Sequence, residues 1–223
     1  MIRDGILVIN KPKGMTSHDV VAFVRRKLGI KKVGHAGTLD PIATGVLVVL
    51  VGTATKLFEQ FLNFDKEYVA TLTLGKRTTT GDSQGEPLEE KGFDAVNNEL
   101  IKETASFFIG EQMQVPPMVS ALKHKGKRLY KIARKGKEVE RQARKITIKD
   151  LKVIKIELPH IQFYVKCTRG TYVRQLAEDM AQRLGCVGHV SQIERQSIGR
   201  FNIKDGLLLS QVEQSSIKPY SVA

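Results

Sequence analysis

Long hydrophobic runs are missing from this sequence. The longest, residues 46–51, is six residues between Gly45 and Gly52, far short of the roughly 20 that a membrane-spanning helix needs. The first apolar stretch, residues 6–9, is too short for the core of a signal peptide. Cysteine is scarce too: Cys167 and Cys186 are the whole supply, which excludes a disulfide framework and a cysteine metal set and fits a reducing cytoplasm. Acidic residues are outnumbered, 23 against 36 Lys and Arg, for a net charge of +13. There is no internal repeat, linker or low-complexity tract.

What is present is an ordinary globular composition with a segregated charge. The 223 residues suffice for one large domain or one domain with an insertion. Residues 123–149 hold twelve basic and two acidic side chains, a net +10, and leave only +3 for the rest of the chain. A solvated face is one reading of that segment. A patch this concentrated points more directly to a polyanion, nucleic acid first.

The pattern predicts a short strand at 6–9, a loop at 10–15 and a helix capped by Ser17. Val20, Val21, Val24 and Leu28 share its inner face, and Gly29 ends it. A loop over 34–45 leads into a strand at 46–51 that is apolar on both faces. A strand is expected at 67–74, a polar loop at 76–87 and a helix at 94–108. Pro116-Pro117 excludes a central strand or helix interior there. A short helix is expected near 129–135. Strands follow at 145–157 and 161–168, the second with strict two-residue alternation. A helix over 171–184 turns Val173, Leu176, Met180 and Leu184 inward. Helices and strands mixed without regular alternation indicate an α+β fold with a mixed sheet.

Asp40, in Gly-Thr-Leu-Asp-Pro, is the residue that most needs explaining. An Asp-Pro pair readily initiates a turn. A carboxylate on a loop held between glycines and a buried strand is equally a candidate reagent. No second acid lies near it in sequence, which argues against a two-carboxylate hydrolase. No Asp/Glu/His cluster has metal-ligand spacing. His35, five residues back, reads as a packing or hydrogen-bonding residue, or as one that stacks on a base. Tyr68 opens a strand and reads as a half-buried packing residue. Tyr172 and Arg174 fall in the first turn of a helix, where the dipole disfavours a cation. Either Arg174 is solvent-exposed or an anion lies close by.

Five segments in chain order carry a resemblance: VINKPKGMTSHDVV, GHAGTLDPIATGVL, DKEYVATLTLGKRTTTGDSQG, QVPPMVSALKHKGKRLYKIAR and VKCTRGTYVRQLAEDM. Together they resemble the bacterial TruB family, the tRNA pseudouridine-55 synthases, over nearly the whole chain.

The resemblance implies the pseudouridine synthase fold, a mixed and mostly antiparallel sheet with flanking helices around a central cleft. It implies a catalytic domain over 1–212, with the basic RNA-binding segment 113–149 inside it. Residues 213–223 would be a short tail where relatives carry a further RNA-binding domain. Asp40 matches the catalytic aspartate, Tyr68 the tyrosine that packs on the target base, and Arg174 the arginine paired with that aspartate. His35 matches a T-loop contact. Tyr172, Ile193 and Asp82 fall at active-site or near-site positions. Lys123, Lys125, Lys127, Arg128 and Arg134 are the expected RNA-binding cations. The implied partner is tRNA, bound through its T-arm by a cytoplasmic monomer that also assists tRNA folding, with no membrane.

The implied reaction breaks the N1–C1′ bond of uridine, turns the base and rejoins it through C5. It is redox-neutral and transfers no external group, so no cofactor or metal is expected. Attack at C1′, addition to C6 and proton abstraction at C2′ are all open to the carboxylate. Two side chains depart from the family pattern: Val119 stands where an aromatic is common, and Glu194 where a base is common.

Overall fold

The computed structural model describes residues 4–120, 122–124, 126–133 and 135–220; the side chain of Lys123 lies outside that description. In chain order the elements are β1 (Gly5–Lys11), α1 (Ser17–Leu28), β2 (Val33–Ala36), β3 (Thr44–Val51), α2 (Phe58–Asn63) and β4 (Lys66–Leu74). Next come β5 (Lys76–Thr78), β6 (Pro87–Glu90), α3 (Asn98–Phe107), β7 (Gly110–Gln114), β8 (Lys123–His124), β9 (Lys127–Arg128) and α4 (Leu129–Ala133). The chain continues with β10 (Arg144–Glu157), β11 (His160–Cys167), α5 (Val173–Arg183), β12 (Gly188–Ile198) and β13 (Phe201–Asn202). The fold is α+β, with a mixed, mostly antiparallel sheet and few helices.

Two compact units divide the chain. One holds residues 1–68 and 193–223, the other 69–192. β4 and β12 each contribute residues to both.

In the first unit β3 is the central strand. β1 and β2 pair with it antiparallel, while β12 joins it in parallel through Glu194 opposite Thr44 and Arg195 opposite Gly45. β3 is buried on both faces after Thr44, as its unbroken apolar run predicts. Val46, Val48 and Leu50 pack one face against Ile6, Val8, Phe61, Ile198 and Phe201. α1 buries Val20, Val21, Val24 and Leu28 and is closed by Gly29. Its N-cap is Thr16, not the expected Ser17. The Thr16 hydroxyl accepts the Asp19 amide at 3.1 Å, and the Asp19 carboxylate accepts the Thr16 amide at 2.8 Å. The acid three residues on closes this box only with Thr16. After Val212, Ile217 is buried and Lys218 pairs with Ile6 of β1.

In the second unit the strand order is β12, β4, β11, β10, β7. β10 pairs antiparallel with both β11 and β7. The alternation read in β11 is its burial pattern: Ile161, Phe163, Val165 and Cys167 all face inward. α3 is shorter than the expected 94–108 because Asn97 caps it, its side chain accepting the Leu100 amide at 2.9 Å. Phe107 is exposed beneath the Arg183 guanidinium. The stretch 76–87, expected as a loop, begins and ends in the β5–β6 hairpin, held by cross-strand pairs Lys76–Glu90 and Arg77–Glu89.

Candidate active site

Asp40 sits in the connection between β2 and β3, in the first unit. The expected loop over 34–45 begins later than its glycines suggest, because 33–36 form β2 opposite β3, with His35 across from Val49. The His35 ring meets His18 edge-on, 5.2 Å between centroids. The remaining connection is tied down residue by residue. Ser17, freed from capping, accepts the Leu39 amide at 2.9 Å and donates to the Leu39 carbonyl at 3.1 Å. The Gly14 amide donates to the Pro41 carbonyl at 2.8 Å, and the Ala43 amide to the Asp40 carbonyl at 3.0 Å. Leu39, Ile42 and Ala43 are buried while Asp40 stays partly exposed. A carboxylate presented by an anchored chain segment is a pre-organised group.

Lys11 and Arg195 are buried cations of the same unit. Lys11 ends β1 with its side chain fully enclosed, and its Nζ donates to the carbonyls of Pro12 at 2.9 Å and Met15 at 2.6 Å. Burial pushes its pKa down to about 8; Asp40 opposes that shift, and Arg195 adds to it. Arg195, in β12, donates through Nε to the Val46 carbonyl at 2.7 Å and through Nη2 to the Gly37 carbonyl at 2.9 Å. Tyr68 is buried, 8% exposed, on the inward face of β4 that also carries Ala70, Leu72 and Leu74. It is more enclosed than a half-buried packing residue. Ile193, in β12, is half-buried.

The second unit holds Arg174, Asp82 and Tyr172. Arg174 is 3% exposed, which removes the solvent-exposed alternative. Its guanidinium donates to the carbonyl of Thr80 and, at 2.8 Å, to that of Val119; its Nε lies 3.9 Å from the Asp82 carboxylate. Asp82 is buried and accepts from the Thr80 hydroxyl at 2.6 Å and the Gln84 amide at 3.0 Å. A buried guanidinium needs such partners to be tolerated. The departure at Val119 leaves this bond intact, because the bond uses the backbone carbonyl. Tyr172 stands at the N-cap of α5 rather than in its first turn. Its backbone is bracketed by the buried amide of Gln114, which accepts its N–H at 2.8 Å and donates to its carbonyl at 3.1 Å.

Among the expected RNA-binding cations, Lys127 and Arg128 are exposed on β9. With Lys131, Ile132, Lys135 and Lys137 they line an open basic depression of about 720 Å³. Lys125, Arg134 and the Lys123 side chain lie outside the described residues. No group of three or more metal-ligating side chains is found among the described residues, and none of their helices is long and apolar enough to cross a membrane.

Lys11, Gln114 and Arg195 were not singled out from the sequence, and Ser17 was read only as a helix cap. Lys11 had a readable signal, a lysine just after the apolar run 6–9 and directly before a proline. Arg195 had none, since the run Gln192 to Ser197 is polar apart from Ile193 and looks like a surface.

The chain is similar in fold to proteins of two solved assemblies. One is a Cbf5–Nop10–Gar1 complex, at 29% identity and a TM-score of 0.75, covering 97% of this chain and 60% of that one. The other is an H/ACA ribonucleoprotein bound to a substrate RNA containing 2′-deoxyuridine, at 28% and 0.71, covering 94% and 52%. This chain thus spans little more than half the length of those chains. The model of the TruB family pseudouridylate synthase N-terminal domain matches residues 25–173. The fold is therefore the pseudouridine synthase fold.

Curated relatives narrow the assignment. The tRNA pseudouridine synthase B of Opitutus terrae is 45% identical over 210 residues, covering 94% of this chain and 87% of that protein. That of Clostridium kluyveri is 48% identical over 219 residues, covering 98% and 75%. The chain belongs to the TruB family of pseudouridylate synthases.

Proposed function

We propose that this enzyme isomerises uridine 55 in the T-loop of tRNA to pseudouridine, with Asp40 as its catalytic carboxylate. The observation that carries the role of Asp40 is its setting: a partly exposed acid on a connection fastened at Leu39, Pro41 and Ala43. A turn aspartate needs no such support. Tyr68 and Arg174 are the other proposed catalytic residues, on the strength of the sequence match. His35, Tyr172, Ile193 and Asp82 are proposed to contact the substrate.

The isomerisation cleaves N1–C1′, forms C5–C1′ and replaces the proton lost from C5 with one gained at N1. Atoms and electrons balance without an external reactant. The target base must leave its stack, at a cost of a few kcal/mol. Cations such as Lys127 and Arg128, facing solvent in the basic depression, supply phosphate contacts that offset it. This reading places the protein in the cytoplasm, acting as a monomer on the T-arm.

The test is to incubate an unmodified tRNA transcript with the enzyme and map pseudouridine by carbodiimide modification and primer extension. One stop at the T-loop uridine is expected. A stop elsewhere, or binding without any stop, would replace this reading with a synthase for another RNA or with an RNA-binding role.

A further inference from the structure

Arg195 touches both feet of the connection that carries Asp40. Its Nη2 holds the carbonyl of Gly37, the first residue after β2, and its Nε holds the carbonyl of Val46, two residues into β3. One planar guanidinium therefore fixes the distance between the two ends of the segment, and Ser17 and Gly14 fix its middle.

The surrounding sequence lets β12 approach the connection closely at this residue. Gly45, at φ +95°, lies against the Arg195 backbone so closely that a Cβ would fall 2.3 Å from the Arg195 carbonyl oxygen. Gly37, at φ +79°, holds a left-handed backbone conformation that other residues rarely adopt, and it is the carbonyl of this residue that the guanidinium holds. Arg195 is 1% exposed. Among the described residues its donors reach the backbone carbonyls of Gly37 and Val46, and a buried charge held in that way is an expensive brace for a loop. An apolar side chain would fill the volume but could not hold both carbonyls.

We propose that Arg195 is a positioning residue for Asp40: it sets the reach of the carboxylate by pinning both ends of its connection. The inference rests on Asp40 being the catalytic carboxylate, so Asp40→Asn is assayed alongside.

The experiment measures single-turnover rates at saturating enzyme on a T-arm stem-loop, with Kd and thermal transitions, for wild type, Arg195→Lys and Arg195→Ala with and without added guanidinium ion. Arg195→Lys is expected to fold, to bind within about threefold of wild type and to react about a hundredfold more slowly, near what a misplacement of about 1 Å costs. Guanidinium is expected to restore part of the Arg195→Ala rate without changing Kd. A rate per folded Arg195→Lys molecule within about twofold of wild type overturns the proposal. Should Arg195→Lys fail to fold, Gly37→Ala, which disturbs the held carbonyl and keeps the arginine, is read by the same criteria. Wild-type turnover by Asp40→Asn would remove the underlying reading and the proposal with it. An inactive Asp40→Asn beside a normal Arg195→Lys would remove Arg195 alone.

Discussion

Lys11 shows how a single side chain carries a cost that depends on pH. Its folded pKa of about 8 lies below the ordinary 10.5 because burial disfavours the ammonium. Between those values the unfolded chain binds a proton that the folded chain does not. Stability from this group therefore rises with pH from about 8 to about 10.5, and is at its lowest, constant level below 8. Chemical denaturation of wild type and Lys11→Met across pH 7–10.5 should show the wild-type curve gaining on the variant through that window; parallel curves would contradict the buried ammonium. Residue chemistry was partly legible beforehand. Asp40 stood out because a lone acid between Leu39 and Pro41 precedes a core strand. Arg174 stood out because a cation in a first helical turn needs an anion, which Asp82 supplies 3.9 Å away. Ser17 was misread as a cap, since its use at Leu39, 22 residues away, leaves no local trace.

Among the elements, those with one dominant local signal were readable. β3 and β11 follow directly from an unbroken and an alternating apolar pattern. β12 was not read, because Ser191, Gln192, Glu194, Arg195, Gln196 and Ser197 give it a polar sequence, and its strand state comes from tertiary pairing. The β5–β6 hairpin was hidden by the glycines of its turn region. Two predictions belong here. Thr16→Ala removes the capping box of α1 and should cost about 1 kcal/mol, or a melting temperature lower by about 2–4 °C. Gly45→Ala drives a methyl into the Arg195 backbone and should cost about 4 kcal/mol or more, with loss of soluble protein at 37 °C. A Gly45→Ala protein melting like wild type would show that β3 and β12 are not locked together there.

At the scale of the whole molecule, charge is the property that reaches furthest. The net +10 over residues 123–149 is most of the +13 carried by the chain, and its described part presents Lys127, Arg128, Lys131, Lys135 and Lys137 around one open depression. Replacing Lys127, Arg128 and Lys131 together with Glu should weaken tRNA binding and reduce the slope of log affinity against log salt by about two. An unchanged slope would move the RNA surface elsewhere. The architecture was legible as α+β but its division was not: the units part within β4 and β12, where no Pro- or Gly-rich linker marks a boundary.

The most direct test of the account is tritium release from a T-arm stem-loop labelled at uridine C5, comparing wild type with Asp40→Asn. Release by wild type is expected, with a rate lower by at least about a thousandfold for the variant, the scale on which a lost catalytic group is felt, while stem-loop affinity stays within about threefold. Release by Asp40→Asn at near the wild-type rate would contradict it.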